Sequence, residues 1–228
     1  MIARDNNKDT EIAVSGGTSG LVRVTEETAK WVAPRPLTFS EFLDRFGEDD
    51  DVELIDGAAV EKMAAQLDHE RLFVWLSTIL NYYVKSRHLG IVLGSRTAVE
   101  ITNFRGRLPD LLFVRRENEP IVQQRAIFGT PDFIAEFVSP NDRPSDILAL
   151  ETDYRTIGVP EMWFIDQGRR QVRALRRQGD GSYQESEHEN GVIAAAQVDG
   201  FALEVGWFWA DPRPDEPTVI AGLLGQGP

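Results

Sequence analysis

The chain has 228 residues, of which 42% are hydrophobic and 27% charged. These shares exclude collagen-like and disordered classes, and no apolar run approaches the roughly 18 residues of a membrane-spanning helix. Since the chain has no cysteine, disulfides, thiolate metal sites and cysteine nucleophiles are excluded, and any metal must bind oxygen or imidazole ligands. Residues 1–20 lack the apolar core of a secretory signal, so we expect a cytoplasmic protein.

The formal net charge of -13 repels a phosphate backbone unless basic residues cluster. Residues 61–130 carry 10 Lys/Arg and 7 Asp/Glu, whereas residues 1–60 carry 6 and 13, and residues 131–228 carry 8 and 17. A second basic cluster lies in the last third and comprises Arg169, Arg170, Arg173, Arg176 and Arg177. It either contacts phosphates or balances the acidic strand predicted opposite, and the sequence favours charge balance. DNA is therefore permitted as a partner but not required.

The first predicted element is a short amphipathic helix over residues 39–46, where apolar side chains recur at helical spacing. Thr38 and Glu41 have the spacing of a capping box at its start. Residues 1–34 show no sustained period before it. We therefore expect them to form a flexible N-terminal extension.

A hairpin and a long helix are predicted next. Residues 52–61 alternate around Asp56 and Gly57, a pair typical of tight hairpin turns. Apolar side chains then recur every three and four positions over residues 68–87, which predicts the longest helix of the chain. Gly90 is expected to end this helix.

The remaining pattern predicts a sheet with one further helix. Four segments rich in apolar residues are typical of strands, namely residues 91–93, 97–101, 111–114 and 133–138. They are followed by a predicted helix at 144–157, a buried strand at 162–165 and a hairpin of 171–177 with 182–187. Together these elements predict one α/β domain over residues 35–210, followed by an acidic, Pro-rich tail over residues 211–228.

Two carboxylates lie in strand-like apolar segments. Asp110 immediately precedes Leu111, and Glu136 lies inside the segment 133–138. A carboxylate in such a setting is costly unless it is paired or binds a metal. The two are therefore either structural acids, for example partners of a core arginine, or convergent ligands of a Mg²⁺ ion that activates water against a phosphodiester.

The residues around these acids resemble a known family. The matching segments, in chain order, are Leu37-Thr38 with Phe42-Leu43, Glu53-Leu54-Ile55-Asp56-Gly57, His69, Pro109-Asp110, Glu136, Ser139-Pro140-Asn141-Asp142, Tyr154 and Gly158-Val159-Pro160-Glu161-Met162-Trp163-Phe164-Ile165-Asp166. Because several independent motifs occur in the right order over roughly residues 37–170, the sequence resembles the bacterial putative restriction endonuclease family of the Uma-two type, in the PD-(D/E)xK nuclease superfamily. The resemblance implies a restriction-endonuclease-like mixed β-sheet flanked by helices, with an N-terminal helix and β-hairpin.

The resemblance also implies a site. Asp110 and Glu136 would bind Mg²⁺ or Mn²⁺, with the backbone carbonyl of Phe137 as a third ligand, and the activity would be phosphodiester hydrolysis of DNA. His69 would lie near the metal, although a histidine that hydrogen-bonds at a helix end is an equal alternative. Glu53 is a candidate for an additional acid at the site.

One expected group is absent. The resemblance places a catalytic lysine on the helix after Glu136, four residues before Tyr154, where this chain has Leu150; the alternative superfamily position is Val138. Loss of a positioned acid-base group typically costs 10²–10⁴-fold in rate. The chain is therefore expected to be a weakened or inactive metal-dependent endonuclease, or else an inert nucleic-acid-binding or assembly module. Arg143 could supply charge there but cannot act as a base.

A homodimer is expected, because two sites related by a two-fold axis cut both DNA strands most simply and two-fold dimers are the commonest oligomers. Four aromatic residues near the C-terminus, Phe201, Trp207, Phe208 and Trp209, are the candidate contact surface. The alternative is that they complete the core of a monomer.

Overall fold

The structure is a computed structural model that describes residues 22–24, 30–32, 35–47, 50–62, 66–94, 96–140 and 142–225. The chain divides into two compact units. The first comprises residues 1–62 and 102–105, and the second comprises residues 63–101 and 106–228. Among the described residues, every helix is too short or too polar to span a lipid bilayer.

The first unit contains one helix and a small sheet. Its elements are β1 (Val22–Val24), β2 (Lys30–Val32), α1 (Phe39–Arg45), β3 (Val52–Ile55) and β4 (Ala58–Glu61), with the strands in the order β1-β2-β4-β3. The predicted capping box is confirmed, since the Glu41 N–H donates to Thr38 Oγ1 at 3.3 Å and the Thr38 N–H donates to the Glu41 carboxylate at 3.0 Å. Strands β1 and β2 lie within residues 1–34, which were predicted to be an extension. A three-residue strand is too short to show a hydrophobic period, so the sequence pattern did not indicate them.

The second unit is built on a six-stranded mixed sheet. Its elements are α2 (Leu67–Arg87), β5 (Gly90–Gly94), β6 (Val99–Thr102), β7 (Arg105–Arg107), β8 (Leu111–Arg115), β9 (Phe133–Val138), α3 (Pro144–Thr156), β10 (Glu161–Asp166), β11 (Gln171–Arg177), β12 (Tyr183–His188), β13 (Val192–Ala194), β14 (Ala202–Glu204) and α4 (Glu216–Gly225), except that Thr102 of β6 and Arg105 of β7 count with the first unit. The sheet has the strand order β12-β11-β10-β9-β8-β5. Strands β9 and β10 are parallel and the other neighbours are antiparallel. The predicted mixed sheet flanked by helices is confirmed.

Each face of this sheet is covered by a different helix. Along β9, Phe133, Ala135 and Phe137 pack with residues of α2, whereas Ile134 packs in a second cluster with Tyr154 of α3. Because both faces are covered, nearly every position of β9 is buried, which explains its continuous apolar sequence. Glu136 is the one charged residue of this apolar strand, and it lies on the face covered by α3.

The prediction that Gly90 ends the long helix is wrong, although the predicted last residue, Arg87, is correct. The helix α2 ends at Arg87, and His88 adopts the left-handed conformation with φ 55°. Gly90 instead begins β5, where a Cβ atom would lie 2.1 Å from the Val114 carbonyl oxygen. The glycine is needed for the close approach of two strands rather than for a helix cap.

The C-terminal segment differs from its prediction. Within residues 211–228, the helix α4 packs on α2 and buries Val219, Ile220 and Leu223 in the main core cluster. The acidic and Pro-rich composition of residues 211–217 conceals this short apolar helix in the sequence.

The aromatic residues proposed as a dimer surface belong to this core. Phe201 and Phe208 are fully buried, and Trp207 and Trp209 pack against the same cluster while remaining partly exposed. Phe208 lies edge-on to Trp75 of α2 and to Trp163 of β10. The monomer-core alternative therefore accounts for these residues, and they no longer support a dimer contact.

Candidate active site at the ends of strands β8 and β9

Asp110 lies directly before β8 and is buried. Its Oδ2 atom accepts a hydrogen bond from the Phe137 N–H at 2.9 Å. The same oxygen lies 3.1 Å from Nε2 of His69, near the start of α2. The His69 ring also packs edge-on against Phe137, with ring centroids 5.3 Å apart. The strand end, the helix start and the main chain of β9 therefore fix this carboxylate in one orientation.

Glu136 is held by a side chain of α3. Its side chain is buried, and its Oε1 atom accepts a short hydrogen bond from the Tyr154 hydroxyl of α3. Tyr154 itself is fully buried in the cluster between α3 and the sheet. This pairing explains why a tyrosine, with its polar tip, occupies a core position of the helix.

The register of the sheet brings the two acids to neighbouring positions. Leu111 and Ala135 form the last pair of the antiparallel ladder of β8 and β9, and continuing that register by one step would bring Asp110 opposite Glu136. No group of three or more His, Asp or Glu side chains within the described ranges is arranged to hold a metal ion. Shared binding of one ion by these two carboxylates stays a prediction.

The backbone of Phe137 completes the candidate set. In a strand, the N–H and C=O of one residue point to the same neighbour. Because the Phe137 N–H points to Asp110, its carbonyl lies on the same side of β9. Two carboxylates and a carbonyl are the oxygen donors that Mg²⁺ accepts, with water filling the remaining positions. The donor chemistry thus fits the implied ion.

The helix α3 presents Leu150 where a lysine was expected. Leu150 is partly buried and packs with the same apolar cluster as Tyr154, one helical turn away. Val138, the other expected position, ends β9 and also packs there. Arg143 is the exposed N-cap residue of α3. Its role as a source of charge stays a prediction.

A buried ion pair near this site was missed in the sequence. Arg107 of β7 donates from Nε to Asp153 Oδ2 of α3 at 2.6 Å, and both side chains are more than 90% buried. Arg107 lies three residues before Asp110, and Asp153 is adjacent to Tyr154. Two features of the sequence could have indicated this pair. Arg107 lies just before an apolar strand, and Asp153 lies at a position of the predicted helix that faces the core.

Glu53 belongs to the first unit, in contrast to the other candidates. It lies on β3, is buried and pairs in register with Val60 of β4. Its assignment as an additional acid stays a prediction.

The basic cluster of the last third is largely neutralised. Arg173 donates to Glu151 of α3 at 2.6 Å and to Glu185 of β12 at 3.3 Å, and Arg176 donates to the buried Glu161 at 3.0 Å. The charge-balance alternative is confirmed for Arg173, and Arg169 remains exposed. The strand β11 is thus not a continuous phosphate-binding face.

Comparisons with known proteins give the family and the fold of the chain. The family model named Uma2, described as a putative restriction endonuclease, matches residues 39–206. The chain belongs to this family. A crystal structure of a putative nuclease belonging to DUF820 from Anabaena variabilis ATCC 29413 has the same fold, with a TM-score of 0.64 and 17% sequence identity. The match covers 76% of this chain and 98% of that one. No curated protein matches the chain.

Proposed function

We propose that this Uma2-family chain is a metal-dependent DNA endonuclease by descent, with activity weakened or lost at Leu150. The observation that carries the proposal is the junction of β8 and β9, where Asp110 binds the main chain directly beside Glu136. Family membership and the nuclease-like neighbour support phosphodiester hydrolysis. Asp110, Glu136 and the Phe137 carbonyl would hold Mg²⁺ or Mn²⁺ at this junction.

A divalent ion bound there would supply Lewis-acid charge neutralisation and lower the pKa of a coordinated water. Neighbouring groups of the protein orient the carboxylate oxygens that would bind the ion. The Phe137 N–H and His69 restrict the rotation of the Asp110 carboxylate, and the Tyr154 hydroxyl does the same for Glu136. Such outer partners fix ligand orientation and commonly contribute 10–100-fold to metal affinity.

The second candidate function is a non-catalytic module that retains the nuclease fold. The observation in its favour is the apolar side chain of Leu150, which packs in the core and offers no proton-transfer group. Such a module would bind DNA or assemble with other proteins without cleaving the backbone.

DNA as substrate and a homodimer as functional unit belong to the same proposal. The net-positive residues 61–130 include α2, which carries His69, and β8, which directly follows Asp110. A two-fold pair would bring two such segments to one duplex and allow cleavage of both strands.

Sedimentation at micromolar concentration should give about twice the 25.6 kDa mass of the chain. A single 25.6 kDa species would remove the dimer from the proposal.

Metal binding can be tested apart from cleavage. Mn²⁺ at about 100 times its Kd should raise the free energy of unfolding by about 2.7 kcal/mol, because only the folded chain presents the site. Asp110→Asn and Glu136→Gln should abolish the stabilisation. Asp132→Asn is a matched control, since Asp132 is a buried acid at the other end of β9. An equal metal response in Asp110→Asn and wild type would contradict the site.

Plasmid nicking with Mg²⁺ or Mn²⁺ then separates the two candidate functions. A nuclease, even a slow one, should nick the plasmid only with metal, and Asp110→Ala should lose the activity. Metal-induced stabilisation without any nicking would favour the module. Equal nicking by wild type and Asp110→Ala would indicate a contaminating nuclease and contradict cleavage by this chain.

A further inference from the structure

A series of hydrogen bonds runs from the buried C-terminal core to the first turn of α2, which carries His69. The Arg213 Nε and Nη2 atoms donate to the Phe208 carbonyl oxygen at 3.1 and 2.8 Å, respectively. Nη2 also donates to Gln167 Oε1 at 2.9 Å, and Gln167 Nε2 donates to the Asp68 carbonyl oxygen at 3.3 Å. We name this series, from Phe208 through Arg213 and Gln167 to Asp68, the α2 anchor. It ends one residue before His69.

The core end of the α2 anchor is fixed by packing. Phe208 is fully buried and lies edge-on to Trp75 of α2. The residue after Arg213, Pro214, accepts a hydrogen bond at its carbonyl oxygen from Trp75 Nε1 at 2.8 Å. A planar guanidinium that donates two hydrogen bonds to such a fixed oxygen is held in one orientation. Gln167 therefore meets a donor of fixed position.

Gln167 lies at the end of the sheet that carries the candidate site. It directly follows Asp166, the last residue of β10, and Asp166 pairs in register with Val138, the last residue of β9. The strands β9 and β10 are parallel, so their carboxyl ends lie side by side. The Phe137 N–H, which binds Asp110, lies one residue before that end. The α2 anchor thus reaches the helix beside the Asp110 site.

The first turn of α2 has no capping side chain of its own among the described residues. Its N-cap residue, Gln66, makes no side-chain hydrogen bond to the helix start. Glutamine is not among the preferred capping residues, and helix ends fray. The Asp68 carbonyl has two lone pairs, so it can accept from Gln167 in addition to its helical partner. Fraying of this turn would move His69 away from Asp110, because the 3.1 Å contact of His69 Nε2 is made from the helical turn.

We propose that Gln167 and Arg213 are positioning residues of the candidate site, which hold the first turn of α2 in place and thereby keep His69 beside the Asp110 carboxylate. The inference rests on the proposed function, because it concerns the orientation of an oxygen ligand in that site. Arg213 and α4 lie beyond residues 39–206, which the family model matches. The C-terminal segment would therefore contribute to the site from outside the matched residues.

Nuclear magnetic resonance of the full chain in EDTA tests the proposal without a metal. The chain has three histidines, His69, His88 and His188, so the ¹⁵N imidazole signals that disappear in His69→Gln can be assigned to His69. Gln167→Ala removes both hydrogen bonds of the amide. At constant pH it should shift the His69 signals toward their positions in the urea-unfolded chain, because part of the molecules then lose the Asp110 contact.

His88 provides the internal control, because it follows α2 at the opposite end of the same helix. Its signals should stay unchanged in Gln167→Ala. A shift of His88 together with His69 would indicate general loosening of α2 and contradict a local role of the anchor. Unchanged His69 signals in folded Gln167→Ala would overturn the proposal.

A conservative variant and a matched control locate the effect in the amide. Gln167→Glu keeps an acceptor for Arg213 but replaces the N–H donor to the Asp68 carbonyl with an oxygen, so it should also shift the His69 signals. Gln178→Ala removes a bond of the same kind, from Gln178 Nε2 to a main-chain carbonyl oxygen at 3.0 Å, and should leave them unchanged. Equal His69 signals in Gln167→Glu and wild type would contradict the role of this donor.

Metal affinity gives the second readout. Arg213→Gln and Gln167→Ala should each weaken Mn²⁺ binding about tenfold, the lower end of the usual effect of groups that orient metal ligands, as measured by isothermal titration calorimetry. A shift of the His69 signals in a chain that binds no Mn²⁺ would support the α2 anchor and reject the metal site. Mn²⁺ binding with unchanged His69 signals, or with equal affinities of Gln167→Ala and wild type, would reject the anchor alone.

Discussion

Leu150→Lys is expected to raise metal-dependent DNA cleavage by about 10²–10⁴-fold, the usual value of a positioned acid-base group. Leu150 lies one helical turn before Tyr154, whose hydroxyl binds the Glu136 carboxylate. A lysine at position 150 would therefore extend from the helix face that already reaches the acid. Its flexible four-carbon stem allows the ammonium to approach a water beside Glu136.

The control for this gain is Thr152→Lys, which adds the same charge at an exposed position of α3. Comparable gains in both variants would indicate general attraction of DNA rather than a restored site. Leu150 packs partly in the core, so the lysine variant should also be checked by thermal unfolding. A folded variant with the Mn²⁺ response of wild type and no gain in cleavage would contradict the assignment of position 150.

The sequence predicted the fold where one signal dominates each segment. The capping box at Thr38 and the Asp56-Gly57 turn are local, so both were found at their positions. The order of acidic, aromatic and proline motifs from Pro109 to Asp166 identified the family and with it the mixed sheet. Local chemistry and motif order do not depend on tertiary contacts, and for that reason they survive in a single sequence.

What the sequence did not predict depends on long-range pairing. The hydrogen bond between Asp110 and the Phe137 N–H joins residues 27 positions apart. The helix α4 becomes apparent only through burial of Val219 and Leu223 beneath α2. The role of Gly90 follows from the approach of Val114, not from its own neighbours in sequence. The contacts of Asp110 and Gly90 leave no periodic pattern in the sequence, and the helical spacing of Val219 and Leu223 is obscured by the acidic, Pro-rich residues 211–217. Prediction from pattern alone therefore misses all three.

Asp153→Leu is expected to lower the free energy of unfolding by about 3–5 kcal/mol, because it removes the carboxylate from the buried Arg107 charge. The loss should exceed that of an ordinary surface pair. Asp68→Ala is the matched control, since it removes the exposed Asp68–Arg71 pair of α2 and should cost less than about 1 kcal/mol. Urea unfolding measures both values.

The double variant Arg107→Met/Asp153→Leu separates the pair from its surroundings. It replaces both charges with apolar side chains of similar length, so it should recover most of the lost stability. The pair also connects β7, which leads to Asp110, with α3, whose Tyr154 binds Glu136. Asp153→Leu should therefore weaken Mn²⁺ binding, and the double variant should restore it. A single-variant cost below about 1 kcal/mol, or metal binding unchanged in Asp153→Leu, would show that this pair does not position the two acids.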